Sequence, residues 1–331
     1  MKKNFSFLAI FISLVLFLTA CGGKSSESSS ESTSEGEKET LVIGFSQPTL
    51  ESPFYTALID GAKAEAEKQG VELVVVDAQN DIEKQNSDVQ SLITKGIDVL
   101  LLNPVNPAAV TPSLKAAEQA NIPVIAVDRN TKEEVAAYIG RDNKEMGKLA
   151  GKKAVELLGG EGKAQGKIIE IQGDAGGTVM QARHDGFHEI VEKEAGIKII
   201  EGPYSNYIRA EAVSAMQDLM QAHPDVNLVY AHNDDMALGA IQVLEKSDKL
   251  EGVQIIGIDG LMEGVKQIKN GKFKATVLND PISLGTLAVQ NAVKAGNGES
   301  VEKYIDGGTG LIDESNADQY LDDAKKFAEI K

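Results

Sequence analysis

Apolar residues along this chain follow two alternating rhythms. Leu41 to Ser46 is a short apolar run, and from Pro53 to Gln69 apolar residues recur at helical spacing (Phe54, Leu58, Ile59, Ala62, Ala66) until Gly70. That is the pattern of a strand followed by a helix. It repeats, predicting strands near 72–77, 98–102, 123–127 and 136–139 and helices near 82–95, 110–120 and 143–158. Runs such as Leu73-Val74-Val75-Val76 and Val99-Leu100-Leu101-Leu102 are apolar throughout, as strands covered on both faces are. After a glycine-rich break at Gly159 to Gly166 the pattern restarts with Lys167 to Ile171. Further strands are predicted near 197–201, 227–232, 253–258 and 274–278, with helices between them. Regular strand–helix alternation implies parallel sheets with right-handed crossovers, an α/β class. The stretch after Thr40 is at the upper size for one hydrophobic core, so two doubly wound parallel-sheet lobes are expected.

The first forty residues do not share this pattern. Lys2 and Lys3 precede an apolar run from Phe7 to Leu18 and then Leu18-Thr19-Ala20-Cys21, the layout of a secretory signal peptide over residues 1–20. The run is too short to span about 30 Å of hydrocarbon as a helix. Leu18-Thr19-Ala20-Cys21 resembles the lipobox of bacterial lipoproteins, which implies that Cys21 is diacylated and holds the protein at a membrane. Residues 21–40 continue as Ser, Glu, Gly and Thr with almost no apolar side chains, a composition read as a disordered tether.

Cys21 is the chain's single cysteine, so the folded part has neither disulfide nor thiol chemistry. The net charge is −17, most of it in the folded part, which argues against nucleic acid as a partner. No G-x-S-x-G elbow is present and only four histidines occur, so no enzyme is expected. His184 and His188 have the i,i+4 spacing of a metal pair on a helix. Asp185 stands where a zincin has glutamate, Gly186 weakens the helix and no other histidine is near in sequence. The pair is read as an exposed polar face, with no metal site and no cofactor. The glycine-rich stretches Gly159–Gly166 and Gly173–Gly177 fit neither phosphate-binding motif.

Polar residues at strand ends stand out instead. Asn103 and Asp128 end consecutive predicted strands in the first half, 25 residues apart, and Asn233 and Asp259 do so in the second, 26 apart. Open parallel sheets bind ligands at such carboxyl ends. Asp128 is followed by Arg129, pairing an acceptor of two hydroxyls with a planar fork of donors. Phe54 and Tyr55 follow Pro53 at the start of the first helix; adjacent on a helix, they point in different directions, so one should face outward. Tyr207 occupies the equivalent loop of the second half. Carboxylates, amides, a guanidinium and aromatic plates at facing strand ends are what a sugar requires.

Several stretches together resemble the sugar-binding proteins of bacterial ABC importers, nearest the ribose-binding group. They are Ser52-Pro53-Phe54-Tyr55, Leu102-Asn103-Pro104, Ile122-Pro123-Val124-Ile125 with Asp128-Arg129, Ala182-Arg183-His184-Asp185-Gly186-Phe187, Asn233-Asp234-Asp235-Met236-Ala237-Leu238-Gly239, and Gly257-Ile258-Asp259-Gly260. The resemblance implies a periplasmic binding protein-like type I fold with three hinge crossings, near Arg141-Asp142, Asn279-Asp280 and Leu311. It divides the chain into an N-terminal lobe (41–141 plus 280–310) and a C-terminal lobe (142–279 plus 311–331). It also implies sugar contacts from Ser52, Phe54, Tyr55, Asn103, Asp128, Arg129, Arg183, Tyr207, Asn233, Asp259 and Asn279. Ribose-binding relatives usually carry Asn at Ser52, Phe at Tyr55, Tyr207 and Ile258, and Gln at Asn279, so the pocket is expected to be more polar and roomier on one side. The expected function is capture of a monosaccharide, with ribose favoured, by hinge closure and its delivery to an ABC permease with its ATPase. The protein is then a monomer, lipid-anchored at the outer face of the cytoplasmic membrane, or periplasmic in a Gram-negative envelope. The alternative is a sensory receptor for a sugar-like signal such as autoinducer-2.

Overall fold

The structure, a computed structural model, describes residues 40–330. The signal segment, Cys21 and the tether as far as Glu39 lie outside the described residues. Those described fall within one compact unit, Thr40–Lys331.

The N-terminal half runs β1 (Val42–Gln47), α1 (Pro53–Gln69), β2 (Glu72–Asp77), α2 (Ile82–Thr94), β3 (Val99–Leu102), α3 (Thr111–Gln119), β4 (Val124–Val127) and β5 (Ala137–Gly140). Then follow α4 (Asn143–Leu157), β6 (Gln165–Gln172), α5 (Thr178–Val191), β7 (Gly196–Tyr204), α6 (Arg209–Ala222), β8 (Leu228–Ala231), α7 (Asp234–Lys246), β9 (Gln254–Asp259), α8 (Met262–Lys269) and β10 (Ala275–Leu278). The chain closes with α9 (Pro281–Gly296), β11 (Tyr304–Asp306) and β12 (Gly310–Asp313).

Two six-stranded sheets result, ordered β11-β5-β4-β3-β1-β2 and β12-β10-β9-β8-β6-β7. Without its last-added edge strand, each sheet has the same doubly wound order, the second strand outermost, then the first, third, fourth and fifth. The central strands β3, β4, β8 and β10 are buried at every position, as their unbroken apolar runs predict. Strand β2 is an exception: it lies at an edge, and its apolar run is only half-buried. A second departure is β12, which pairs antiparallel with β10, so the second sheet is mixed, not purely parallel.

The chain passes between sheets three times: from β5 into α4, from β10 into α9, and from β11 to β12. The first two passages end in helix caps, since Asp142 accepts from the Glu145 N–H (2.9 Å) and Asp280 from the Ser283 N–H (3.1 Å). One side chain ties all three. The buried Arg141 donates through Nε to the Gly308 carbonyl (2.8 Å), through Nη1 to Asn279 Oδ1 (3.2 Å) and through Nη2 to the Asp280 carbonyl (2.7 Å).

Each half also contains one helix pair packed backbone to backbone. A Cβ on Gly61 of α1 would sit 2.3 Å from the Ile282 oxygen of α9, and one on Gly285 would sit 2.0 Å from the Leu58 oxygen. In the other half, an added Cβ would sit 2.2 Å from the Arg183 oxygen at Gly147 of α4 and 2.0 Å from the Lys144 oxygen at Gly186 of α5. Gly186 weakens α5 as an isolated helix, but it is what allows α4 to approach.

Candidate ligand-binding cleft

Between the carboxyl ends of the two sheets lies a cavity of about 450 Å³, within the usual range for small-molecule sites. Ten of the eleven candidate side chains line it: Ser52, Phe54, Tyr55, Asp128, Arg129, Arg183, Tyr207, Asn233, Asp259 and Asn279. The first sheet and its helices supply Ser52 through Arg129. The second supplies Arg183 from α5, Tyr207 from the β7–α6 loop, Asn233 from the end of β8, Asp259 from the end of β9, and Asn279 just past β10.

The eleventh, Asn103, does not reach the cavity. Fully buried at the end of β3, it donates to Gln47 Oε1 (3.0 Å) and to Asp128 Oδ2 (3.5 Å). It holds Asp128 from behind. Ile258 is likewise fully buried and outside the lining, so the ring lost there leaves a packing difference behind the wall.

The two strand-end aspartates share a backbone peculiarity. Asp128 has φ 64° and Asp259 φ 128°, both in the positive region that non-glycine residues avoid. Tyr207, at φ 61°, does the same in its loop. Strain of this kind persists only where surroundings enforce it, and it clusters at ligand sites. At Asp128 the enforcement is visible: its N–H donates to the Ile139 carbonyl (2.8 Å) and its carbonyl accepts from the Tyr138 hydroxyl (2.9 Å).

The two halves of the site are electrostatically matched. Arg129 from the first reaches Asp174 of the second across the cleft (Nη2–Oδ2, 3.4 Å) and lies 6.0 Å from the centre of the Tyr55 ring. Arg183 lies 3.7 Å from Asp259 Oδ1 and 5.9 Å from the Tyr207 ring, while donating to the His232 carbonyl. Phe54 meets Phe327 of the C-terminal tail edge to face at 6.0 Å, and that tail is bonded to the second half through the Gly260 carbonyl. With ion pair and ring contact both formed, the lobes are closed on one another.

Burial raises the carboxyl pKa of Asp128, opposed by the guanidiniums of Arg129, Arg183 and Arg141 and by the Asn103 amide. Asp259 is pushed up to about 7 by burial, against the Arg183 charge and the Asn279 amide, whose Nδ2 donates to it at 3.0 Å. Burial likewise lifts the phenols of Tyr55 and Tyr207, keeping them protonated donors. Among the described residues, two buried polar atoms of the lining have no partner, Tyr207 Oη and Asp174 Oδ1, and the Asn103 Oδ1 just behind is also unpaired. Unsatisfied groups in a cavity of this size fit a polar guest that completes them.

Asp174 was not among the candidates, nor were Glu51, Asn80, Asn206, Glu211 and Asp235, which also line the cavity. Asp174 had a signal: it lies in a glycine-rich loop immediately after β6, a strand end like those of Asp128 and Asp259. The others are loop and first-turn residues, where no strand or helix period marks a direction.

His184 and His188 differ from expectation. Their side chains are only 20% and 13% exposed, and both turn onto the buried carboxylate of Glu170.

Comparison with known proteins gives one consistent picture. A family model described as periplasmic binding protein domain matches residues 43–300. The ribose import binding protein RbsB of Bacillus subtilis is 35% identical over 307 residues, 92% of this chain and 97% of that protein. Its Escherichia coli counterpart is 40% identical over 269 residues, 81% of this chain and 88% of that protein. Among solved structures, an ABC transporter solute binding protein from Mycobacterium smegmatis with bound glycerol superimposes with a TM-score of 0.84 at 55% identity, covering 88% of this chain and all of that one.

Proposed function

We propose, since the chain belongs to the periplasmic binding protein domain family, that it is an extracytoplasmic receptor which closes two lobes around a monosaccharide and delivers it to an ABC importer. The observation that carries this reading is the cleft itself: acceptors and donors from both halves converge on one cavity and leave buried polar atoms unpaired. In this reading Phe54, Tyr55 and Tyr207 cover the apolar C–H faces of the ring. Asp128, Asp259, Asn233 and Asn279 take hydroxyls, and Arg129 and Arg183 donate to hydroxyl or ring oxygens. Ribose is the favoured sugar, supported by the names of the two relatives above. The sensory alternative is the less favoured reading, since both of those relatives are named as import proteins.

A sugar bridging the halves adds contacts that only the closed form offers, so ligand shifts the open–closed balance and the closed lobe surfaces signal occupancy to the permease. No step of this cycle breaks a bond in the ligand, and the protein acts as a carrier, not an enzyme. Cys21, acylated after export, would hold it at the membrane through the tether. Among the described residues no helix is long and apolar enough to cross a membrane.

The direct test is a thermal shift of residues 40–331 against pentoses, hexoses and pentitols. A ligand at a hundredfold excess over Kd stabilises the native state by about 2.7 kcal/mol, which is several degrees for a chain of this size. Ribose is expected to give the largest rise. A panel in which no sugar moves the midpoint removes the sugar reading.

A pH dependence follows from Asp259. A hydroxyl donating to its carboxylate favours the ionised form, whereas in the empty closed cleft burial pushes the carboxyl up to about 7. Below that pH the sugar must displace a proton, so affinity weakens as pH falls and levels off above it. Between pH 8 and pH 6 Kd is expected to rise up to about tenfold, measured by titration calorimetry. In Asp259→Asn the affinity is lower and the slope is gone; a wild-type Kd constant over that interval contradicts the assignment.

A further inference from the structure

Glu170 lies in β6 on the face it shares with Ile168, its side chain wholly buried. A carboxylate there is costly unless compensated. Three imidazoles surround it. His184 Nδ1 is 3.1 and 3.2 Å from its two oxygens, His188 Nε2 is 2.9 Å from Oε2, and His232 Nε2 is 2.8 Å from Oε1. Against the pull of burial, these contacts keep Glu170 ionised.

The three imidazoles are not equivalent. His232 is completely buried, and its Nδ1 faces the Gly173 N–H at 3.4 Å, which leaves Nε2 as the donor to Glu170. It orients the carboxylate. His184 and His188, one turn apart on α5, have ring centres 3.9 Å apart and turn one nitrogen each to the same carboxylate. One nitrogen from each ring and a carboxylate oxygen thus converge, a donor set suited to a divalent transition-metal ion.

The spacing suits such an ion. Zinc with tetrahedral bonds of about 2.0–2.1 Å places its donor atoms about 3.3 Å apart. Here the Glu170 oxygens lie 2.9–3.2 Å from the two imidazole nitrogens, and the donor atoms of all three residues lie within 4.8 Å of one another. The surroundings suit it too. A metal-bound histidine typically gives its other N–H to a carboxylate, and His188 Nδ1 is 2.9 Å from Glu192 Oε1. The partial exposure of both rings gives an ion a route in from solvent.

We propose that Glu170, His184 and His188 form a binding site for a divalent transition metal of the zinc class, apart from the cleft, with His232 and Glu192 orienting its ligands. Three protein donors leave a fourth position for water. The ion clamps α5 to β6 at the turn that carries Arg183, whose guanidinium faces the cleft while its neighbour His184 faces Glu170. The site does not depend on the sugar reading, because none of its ligands lines the cavity.

The test uses untagged, chelator-treated residues 40–331, which carry every described element and lack the competing thiol of Cys21. Zn²⁺ is titrated against a chromophoric chelator, and bound metal is counted by mass spectrometry after gel filtration. One Zn²⁺ per chain is expected, with a rise in thermal midpoint that EDTA reverses. His184→Gln and His188→Gln should each weaken binding at least tenfold and abolish that rise, and Glu192→Gln should weaken it by about tenfold or more. His223→Gln, outside the cluster, should bind as the parent does. Absence of saturable one-to-one uptake by the parent chain overturns the proposal, as does uptake unchanged in the His184→Gln/His188→Gln double variant.

Discussion

Asp128→Asn is expected to weaken sugar binding by about a hundredfold or more while leaving the protein folded. Hydrogen bonds to a charged group contribute roughly 1.5–3 kcal/mol each, and a carboxylate that accepts two hydroxyls loses most of that when one oxygen becomes an amide nitrogen. Desolvation adds to the effect, because Asp128 is buried beside Arg129 and Arg183, whose charges it helps to balance. Asparagine is chosen because it tolerates the left-handed conformation at φ 64°, where alanine would add backbone strain to the measurement. Titration calorimetry of the variant against the sugar identified by thermal shift gives the answer. An affinity within fivefold of the parent would show that Asp128 balances charge in the wall without accepting hydroxyls.

The largest loss of stability is expected at the helix crossings. In Gly285→Ala the new methyl would lie 2.0 Å from the Leu58 carbonyl oxygen, and in Gly186→Ala 2.0 Å from that of Lys144. The obstacle is backbone, which has no rotamer to change, so the helices must separate and lose contact along their length. Overpacking of side chains costs typically 1–3 kcal/mol, and a clash with main chain belongs at or above the top of that range. Each variant should lose about 3 kcal/mol or more, a fall in midpoint of roughly 6–12 °C for a chain of this size. Gly252, whose added Cβ would meet nothing within 4 Å, serves as the control, and its alanine variant should unfold close to the parent. Parent-like melting of Gly285→Ala would mean that α1 and α9 are not packed this closely.

The alternation of strand and helix was legible because strands buried on both faces, such as Val99–Leu102, carry no polar interruption, and because helices such as Pro53–Gln69 keep one apolar stripe. What escaped notice has a common cause. Strands β11 and β12 are three and four residues long, too short to establish a period, and β12 is antiparallel because it enters its sheet from the other lobe. The tail residue Phe327 is one aromatic in a polar stretch, and only the folded chain brings it to Phe54. In the site, Asp128, Asn233 and Asp259 stand in the cavity wall, at the strand ends where the sequence places them. Asn103 is at the expected strand end but lies one layer deeper than expected, behind Asp128, since periodicity gives the end of a strand and not which neighbour stands in front. From sequence His184 and His188 read as a surface pair because Glu170 and His232 come to them from β6 and the end of β8, 14 and 44 positions from the nearer histidine.

Arg141 touches all three passages between the sheets with one rigid, planar group. Three separate ribbons would each twist by their own amount, letting the lobes slide and wobble as well as turn. Pinned through a single guanidinium to the Asn279 amide and the carbonyls of Asp280 and Gly308, they are held together at one point of the joint. Asn279 also lines the cavity and donates to Asp259, so the bearing of this joint is made partly from the wall of the binding site. A ligand bound against Asn279 would therefore act on that joint directly, with no lever in between.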